Sequence, residues 1–180
     1  MVQATPMEGE LKKIIVILGV ISLLSGCAGM KPLTEEQKTI ERVVTLENMS
    51  QDTIFEGTKM WVAENFVSAK AVLEYEDKDK GRLIGNGKMD YPCSGMSCLG
   101  KMDWDVNFTM RVDIKDNKLR LRFTNIQISW PASYDSLGAH PAQRFAMNQQ
   151  GQVEDIKPAL LAYGDRIKKY ISSPKNTKGW

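Results

Sequence analysis

The clearest pattern in the chain is an alternation. Trp104, Val106, Phe108, Met110, Val112 and Ile114 alternate with Asp103, Asp105, Asn107, Thr109, Arg111 and Asp113. A period of two predicts a strand with one face on a core and one in water. Asp116-Asn117 then suits a two-residue turn that pairs 115 with 118. That register sets Met110, Val112 and Ile114 opposite Phe123, Leu121 and Leu119, and the shared apolar face supports it independently. Further on the apolar phase slips from Phe123 to Ile126, Ile128 and Trp130, which predicts a bulge near Thr124 and Asn125.

Other segments follow the same logic. Residues 39–46 (TIERVVTL) are rich in β-branched side chains and read as a strand. Ser50 is a candidate N-cap, with Asp52 at the positive end of a helix dipole. Ile54, Phe55, Trp61, Val62 and Phe66 follow at helical spacing, and Thr58 fills the same face. Residues 71–76 read as a strand, Asp77-Lys78-Asp79-Lys80-Gly81 as a polar turn, and Leu83, Gly85, Gly87, Met89 and Tyr91 as one face of the next strand. The glycines on that face predict close approach of a ring or a backbone. Residues 131–151 lack periodicity and read as an irregular connection. A helix at 155–171 follows, its apolar face formed by Ile156, Leu160, Ile167 and Ile171 with Leu161 beside it and Pro158 confined to the first turn. The order strand, helix, four strands, helix predicts a two-layer α+β domain, an antiparallel sheet of about five strands with two helices on one face.

The N-terminal region differs in kind. Lys12 and Lys13 precede an apolar run at 14–24 (IIVILGVISLL), which as a helix rises only about 16 Å, half of a bilayer core. A basic flank, a short apolar core and small residues make an export signal rather than a spanning helix. Leu24-Ser25-Gly26-Cys27 resembles the lipobox of bacterial lipoproteins. The resemblance implies cleavage before Cys27, acylation of its thiol and a mature chain that begins there. Ala28 in place of aspartate, by the enterobacterial sorting pattern, implies the inner leaflet of the outer membrane, facing the periplasm. Glu8 and Glu10 dilute the basic flank whether translation starts at Met1 or Met7. The expected division is a signal at 1–26, a tether at 27–38, a sheet-and-helix domain at 39–130, the connection at 131–151, a helix at 152–172 and a tail at 173–180.

Composition narrows the chemistry. The 180 residues are 42% hydrophobic and 26% charged with a net charge of +2, so one folded domain fits, whereas a disordered chain or a multi-span membrane protein does not. Near-balanced charge gives no pull toward nucleic acid. With Cys27 assigned to the anchor, Cys93 and Cys98 remain as a pair with four residues between them, expected to form a structural disulfide in an exported protein. One histidine, His140 in Ala-His-Pro-Ala, and no Gly-x-Ser-x-Gly elbow leave no hydrolytic triad to assemble. Asp103 and Asp105 share a strand face and read as solvated rather than as an acid–base pair. Gly85-Asn86-Gly87 lacks the rest of a phosphate-binding loop. No cofactor or metal is expected. In the hairpin register Asp113 faces Arg120, a favourable pair, while Arg111 faces Arg122. Two like charges held opposite must splay into water or meet an anionic partner, so Arg111, Arg120 and Arg122 are the candidate contact residues.

The stretch from Trp61 to Tyr91 (WVAENFVSAKAVLEYEDKDKGRLIGNGKMDY), followed later by VNFTMRVDIKDNKLRLRFTNI, resembles an uncharacterised secreted bacterial domain with a TATA-binding-protein-like fold. The resemblance covers residues 40–126 and implies the same element order. It carries no assigned activity and no catalytic residues. The expected function is therefore a membrane-anchored, non-enzymatic module that binds an envelope protein or peptide through the open sheet face or residues 131–151. Two alternatives stand beside it. One is a phage- or plasmid-encoded exclusion lipoprotein that blocks a receptor. The other is a small hydrolase or sequestering domain with a pocket around Tyr75, Tyr91 and His140.

Overall fold

The computed structural model describes residues 32–66, 72–135 and 138–173. The apolar run at 14–24, the lipobox with Cys27, and the tail beyond 173 lie outside the described residues. In chain order the elements are α1 (Glu35–Lys38), β1 (Ile40–Thr45), α2 (Gln51–Asn65), β2 (Val72–Asp77), β3 (Arg82–Asp90), a 3-10 turn (Gly95–Cys98), β4 (Asp105–Lys115), β5 (Lys118–Trp130), β6 (Ser133–Asp135), β7 (Gly138–His140), β8 (Gln143–Ala146) and α3 (Gln150–Ile171). The α+β expectation holds, with more strands than the sequence pattern displays.

The sheet runs β1-β5-β4-β3-β2, every neighbouring pair antiparallel. Lys115 pairs with Lys118, and Met110, Val112 and Ile114 face Phe123, Leu121 and Leu119, as the alternation predicts. The bulge falls where the phase slips: Thr109 pairs with Thr124 and Asn107 with Gln127, so Asn125 and Ile126 together oppose Phe108. Asn125 takes a positive φ of 50° to make that turn. The bulge divides one edge of β5 between two partners, β1 along 118–123 and β8 along 127–130.

Both long helices pack on the sheet's apolar face. Ser50 caps α2, its Oγ accepting from the Thr53 N–H at 3.2 Å, and Ile54, Phe55, Thr58, Trp61 and Val62 are buried. Between helices and sheet an aromatic cluster forms: Tyr163 of α3 lies 5.6 Å from Trp61, 5.6 Å from Phe66 and 6.0 Å from Phe123 between ring centroids. Gly87 makes room for it, since a Cβ there would stand 2.5 Å from the Phe108 ring. Gly164 plays the matching part on α3, where a Cβ would meet Val44 at 2.7 Å.

Three boundaries differ from expectation. Residues 33–38 are part of the fold rather than tether: Leu33 is buried and Thr34 caps α1 through a reciprocal pair of bonds with Gln37. Residues 131–151 are not irregular, because the β6–β7 hairpin and β8 lie within them. Strands of three and four residues are too short to display a period, and only pairing with β5 turns Phe145 of β8 inward opposite Ile128. Helix α3 begins five residues early, which leaves Pro158 inside it rather than in its first turn. The Gln152 side chain accepts from the Asn148 and Gln149 N–H groups at 3.0 and 3.1 Å and fixes that start. Pro158 and Glu154 are both exposed, so the bond that proline cannot make opens toward water rather than the core.

Candidate interaction surface

Antiparallel pairing arranges the open face into rows. One row runs Asp77, Arg82, Asp113, Arg120, Val43 across five strands. The next runs Tyr75, Ile84, Arg111, Arg122, Glu41. Charges alternate along the first row, and Asp113 is its hub. Arg82 Nε donates to Asp113 Oδ1 at 3.0 Å, Arg120 Nη2 to Oδ2 at 3.0 Å, and Arg111 reaches along its own strand to both oxygens, with Nη2 to Oδ1 at 2.9 Å. Partial burial works against the ionised carboxylate, but the hydrogen bonds from Arg111, Arg120 and Arg82 outweigh it and hold Asp113 well below the usual carboxylate range.

Arg111 and Arg122 do stand opposite each other. They splay by taking different carboxylates: Arg111 turns to Asp113, while Arg122 Nε donates to Glu41 Oε2 on β1 at 2.7 Å. Glu41 also lies 3.9 Å from Arg120. All three candidate contact residues therefore meet on one face, and each is already engaged by a carboxylate of this chain. Glu41, Asp77 and Arg82 escaped the sequence reading, because only the strand order places β1 beside β5 and β3 beside β4. At the row's far end Asp77 is lowered to about 2, first by the Lys80 side chain at 2.7 Å, then by the Lys80 N–H and the Tyr75 hydroxyl. A depression of about 250 Å³ at the hairpin end is lined by Val43, Lys115, Lys118 and Arg120.

The other candidates are dispersed. Asp103 falls in a turn before β4, outside the strand face expected for it, and Asp105 pairs with Lys88. His140 sits on the β6–β7 hairpin opposite Ser133. Tyr75 lies on β2, and Tyr91 is buried, its hydroxyl donating to Asp155 at 2.7 Å. Burial and then that carboxylate push the Tyr91 phenol upward. The space between α2 and the sheet, lined by Val62, Phe66, Leu73 and Met110, holds only about 10 Å³. Among the described residues no group of three His, Cys, Asp or Glu could hold a metal ion.

The second surface lies past the end of the sheet that carries Trp130. Cys93 and Cys98 are joined by a disulfide, with 5.2 Å between Cα atoms, inside the loop from β3 to β4. Behind the loop Trp104 stacks on Trp130 at 4.8 Å, and Tyr91 meets Trp104 edge-on at 5.6 Å. Met96, Leu99 and Met102 project outward from it.

A six-stranded antiparallel sheet with its helices on one face and charge rows on the other defines a two-layer α+β domain of the TBP-like class. Residues 41–129 match the model of DUF4468, a domain of unknown function with TBP-like fold. A DUF4468 family protein from Bacteroides ovatus superposes with a TM-score of 0.55 at 14% identity, over 84% of this chain and 95% of its own. A TBP-like protein from Parabacteroides distasonis gives 0.52 at 18% identity, over 79% and 97%. At such identities the likeness concerns the fold. No curated protein matches the chain.

Proposed function

We propose that this protein is a lipid-anchored envelope protein, fixed through Cys27 to the inner leaflet of the outer membrane, whose DUF4468 domain is a non-enzymatic binding module facing the periplasm. The observation that carries the reading is the sequence Leu24-Ser25-Gly26-Cys27 directly after a short apolar run with a basic flank. The disulfide between Cys93 and Cys98 supports an oxidising compartment. Among the described residues no helix is long and apolar enough to cross a membrane. One acyl chain alone holds a protein marginally, whereas several on one residue hold it durably, at about 0.8 kcal/mol per buried methylene.

The open face gives no support to DNA binding. A minor-groove saddle needs unengaged cations and apolar wedges, and here Arg82, Arg111, Arg120 and Arg122 are bound to carboxylates of the same sheet. The test is metabolic labelling with an alkyne fatty acid. Wild type is expected to take the label and sediment with membranes, and Cys27→Ala to lose both. An unlabelled wild type, or a Cys27→Ala chain that keeps its label, overturns the anchor.

A further inference from the structure

Seven large apolar side chains stand exposed among the described residues, and four of them gather at one end of the fold. Met96, Leu99 and Met102 are 86%, 76% and 76% exposed on the disulfide-stapled loop, and Tyr134 is 83% exposed on β6 nearby. Single exposed apolar residues are ordinary. Three within seven residues, on a loop whose first part is closed by the Cys93–Cys98 disulfide and which runs on to the Trp104–Trp130 stack, form an apolar tip. A groove of about 300 Å³ lined by Leu99, Met102, Trp104, Trp130 and Ser133 joins the loop to the start of β6.

The covalent chain limits how far the domain can stand from an anchored Cys27. Leu33 is buried in the core only six residues after Cys27, and six residues reach about 20 Å at full extension. A domain of about 140 residues has a radius of gyration of about 14 Å, so the tether is shorter than the domain is wide. An anchored domain is thus held against the headgroups. Strand β1 runs from Ile40 opposite Phe123 to Thr45 opposite Lys118, toward the hairpin. The chain therefore enters β1 from the Trp130 side of β5, and α1 just before it touches β5.

We infer that the tip formed by Met96, Leu99, Met102 and Tyr134 inserts into the interface of the bilayer to which Cys27 anchors the chain, an inference that rests on the anchoring proposed above. The chemistry suits an interface. Methionine and leucine enter the acyl boundary, and tyrosine and tryptophan sit at headgroup level. Lys101 lays its ammonium 4.7 Å from the Tyr91 ring centroid and 3.5 Å from Asp155, so its charge is engaged within the chain. With Asp103 beside Lys101 the tip has little net charge, so apolar burial and not attraction to anionic lipid drives the contact.

The test uses the full acylated chain carrying Trp180→Phe, reconstituted in phosphatidylcholine vesicles with and without brominated acyl chains. Buried Trp61 reports that the domain is folded, and Trp104 and Trp130 report depth. Emission is expected to fall about twofold in brominated vesicles, a fall that high salt does not relieve. Met96→Ser/Leu99→Ser/Met102→Ser is expected to abolish the quenching while keeping the acyl label, and Val43→Ser/Met60→Ser, at exposed apolar positions elsewhere, to leave it intact. A labelled wild type that is not quenched, or a triple variant still quenched like wild type, overturns the tip while the anchor stands. A chain that takes no label overturns the anchor, and the tip with it.

Discussion

The open face of the sheet and the loop tip beyond it are both solvent-facing, yet they are built on opposite terms. On the open face Arg82, Arg111, Arg120 and Arg122 each reach a carboxylate of the same sheet, and Asp113 alone binds Arg82, Arg111 and Arg120. At the tip Met96, Leu99 and Met102 have water where a partner would be. A face that satisfies itself needs no ligand to be stable, whereas an apolar tip loses free energy to water at about 25 cal/mol per Å² until something covers it. A cluster of arginines is the more eye-catching sign of a binding site in a sequence, but its carboxylates were already at hand.

The contrast can be broken at several depths. The largest expected effect lies beneath both surfaces. Phe123 is 0% exposed and meets Phe108 and Tyr163, so Phe123→Ala should cost about 3–5 kcal/mol in denaturant unfolding. A loss below about 1 kcal/mol would mean that the aromatic cluster does not hold the two layers together.

The charge rows come next. Asp113→Asn keeps the shape but strands three arginines, and should cost about 1.5–3 kcal/mol near neutral pH. Because the folded carboxylate titrates below its unfolded value, its contribution is present above the ordinary carboxylate range and fades as pH falls through the lowered folded value. Wild type should therefore lose stability below about pH 4 faster than Asp113→Asn does. Parallel acid unfolding curves for the two proteins would remove Asp113 from its place as hub.

The smallest expected effect is the most telling about the tip. Met96→Ser/Leu99→Ser/Met102→Ser should change thermal stability by less than about 0.5 kcal/mol, since these side chains bury little in the folded chain. A marked destabilisation would show that the loop serves the core and would weaken its reading as a contact surface.

Much of the fold is visible in the sequence wherever an element is long enough to show its period. The β4–β5 hairpin, its register and its bulge follow from side-chain alternation, because a strand's two faces meet different solvents and a slip by one residue would invert them. Helix α2 follows from its spacing and its Ser50 cap. Short strands β6, β7 and β8 stay hidden because they are fixed by pairing and not by propensity. The early start of α3 stays hidden because two glutamine-based bonds and the burial of Val153 outweigh the cost of an interior proline.

The candidate surface divides in the same way. Arg111, Arg120 and Arg122 are legible as a cluster because hairpin register is local, but their neutralisation by Glu41 and Asp113 depends on which strands stand beside β5 and β4. Nothing in the sequence separates Met96, Leu99 and Met102 from core residues, since hydrophobicity alone does not say which side of a loop faces in. What the sequence by itself determined is local: the alternating hairpin and the capped helix. What only the tertiary structure decided is non-local: strand order, the charge rows it closes, and the apolar tip it leaves uncovered. The physical reason is that periodicity records a residue's own preference for water or core, while pairing and exposure depend on partners distant in the chain.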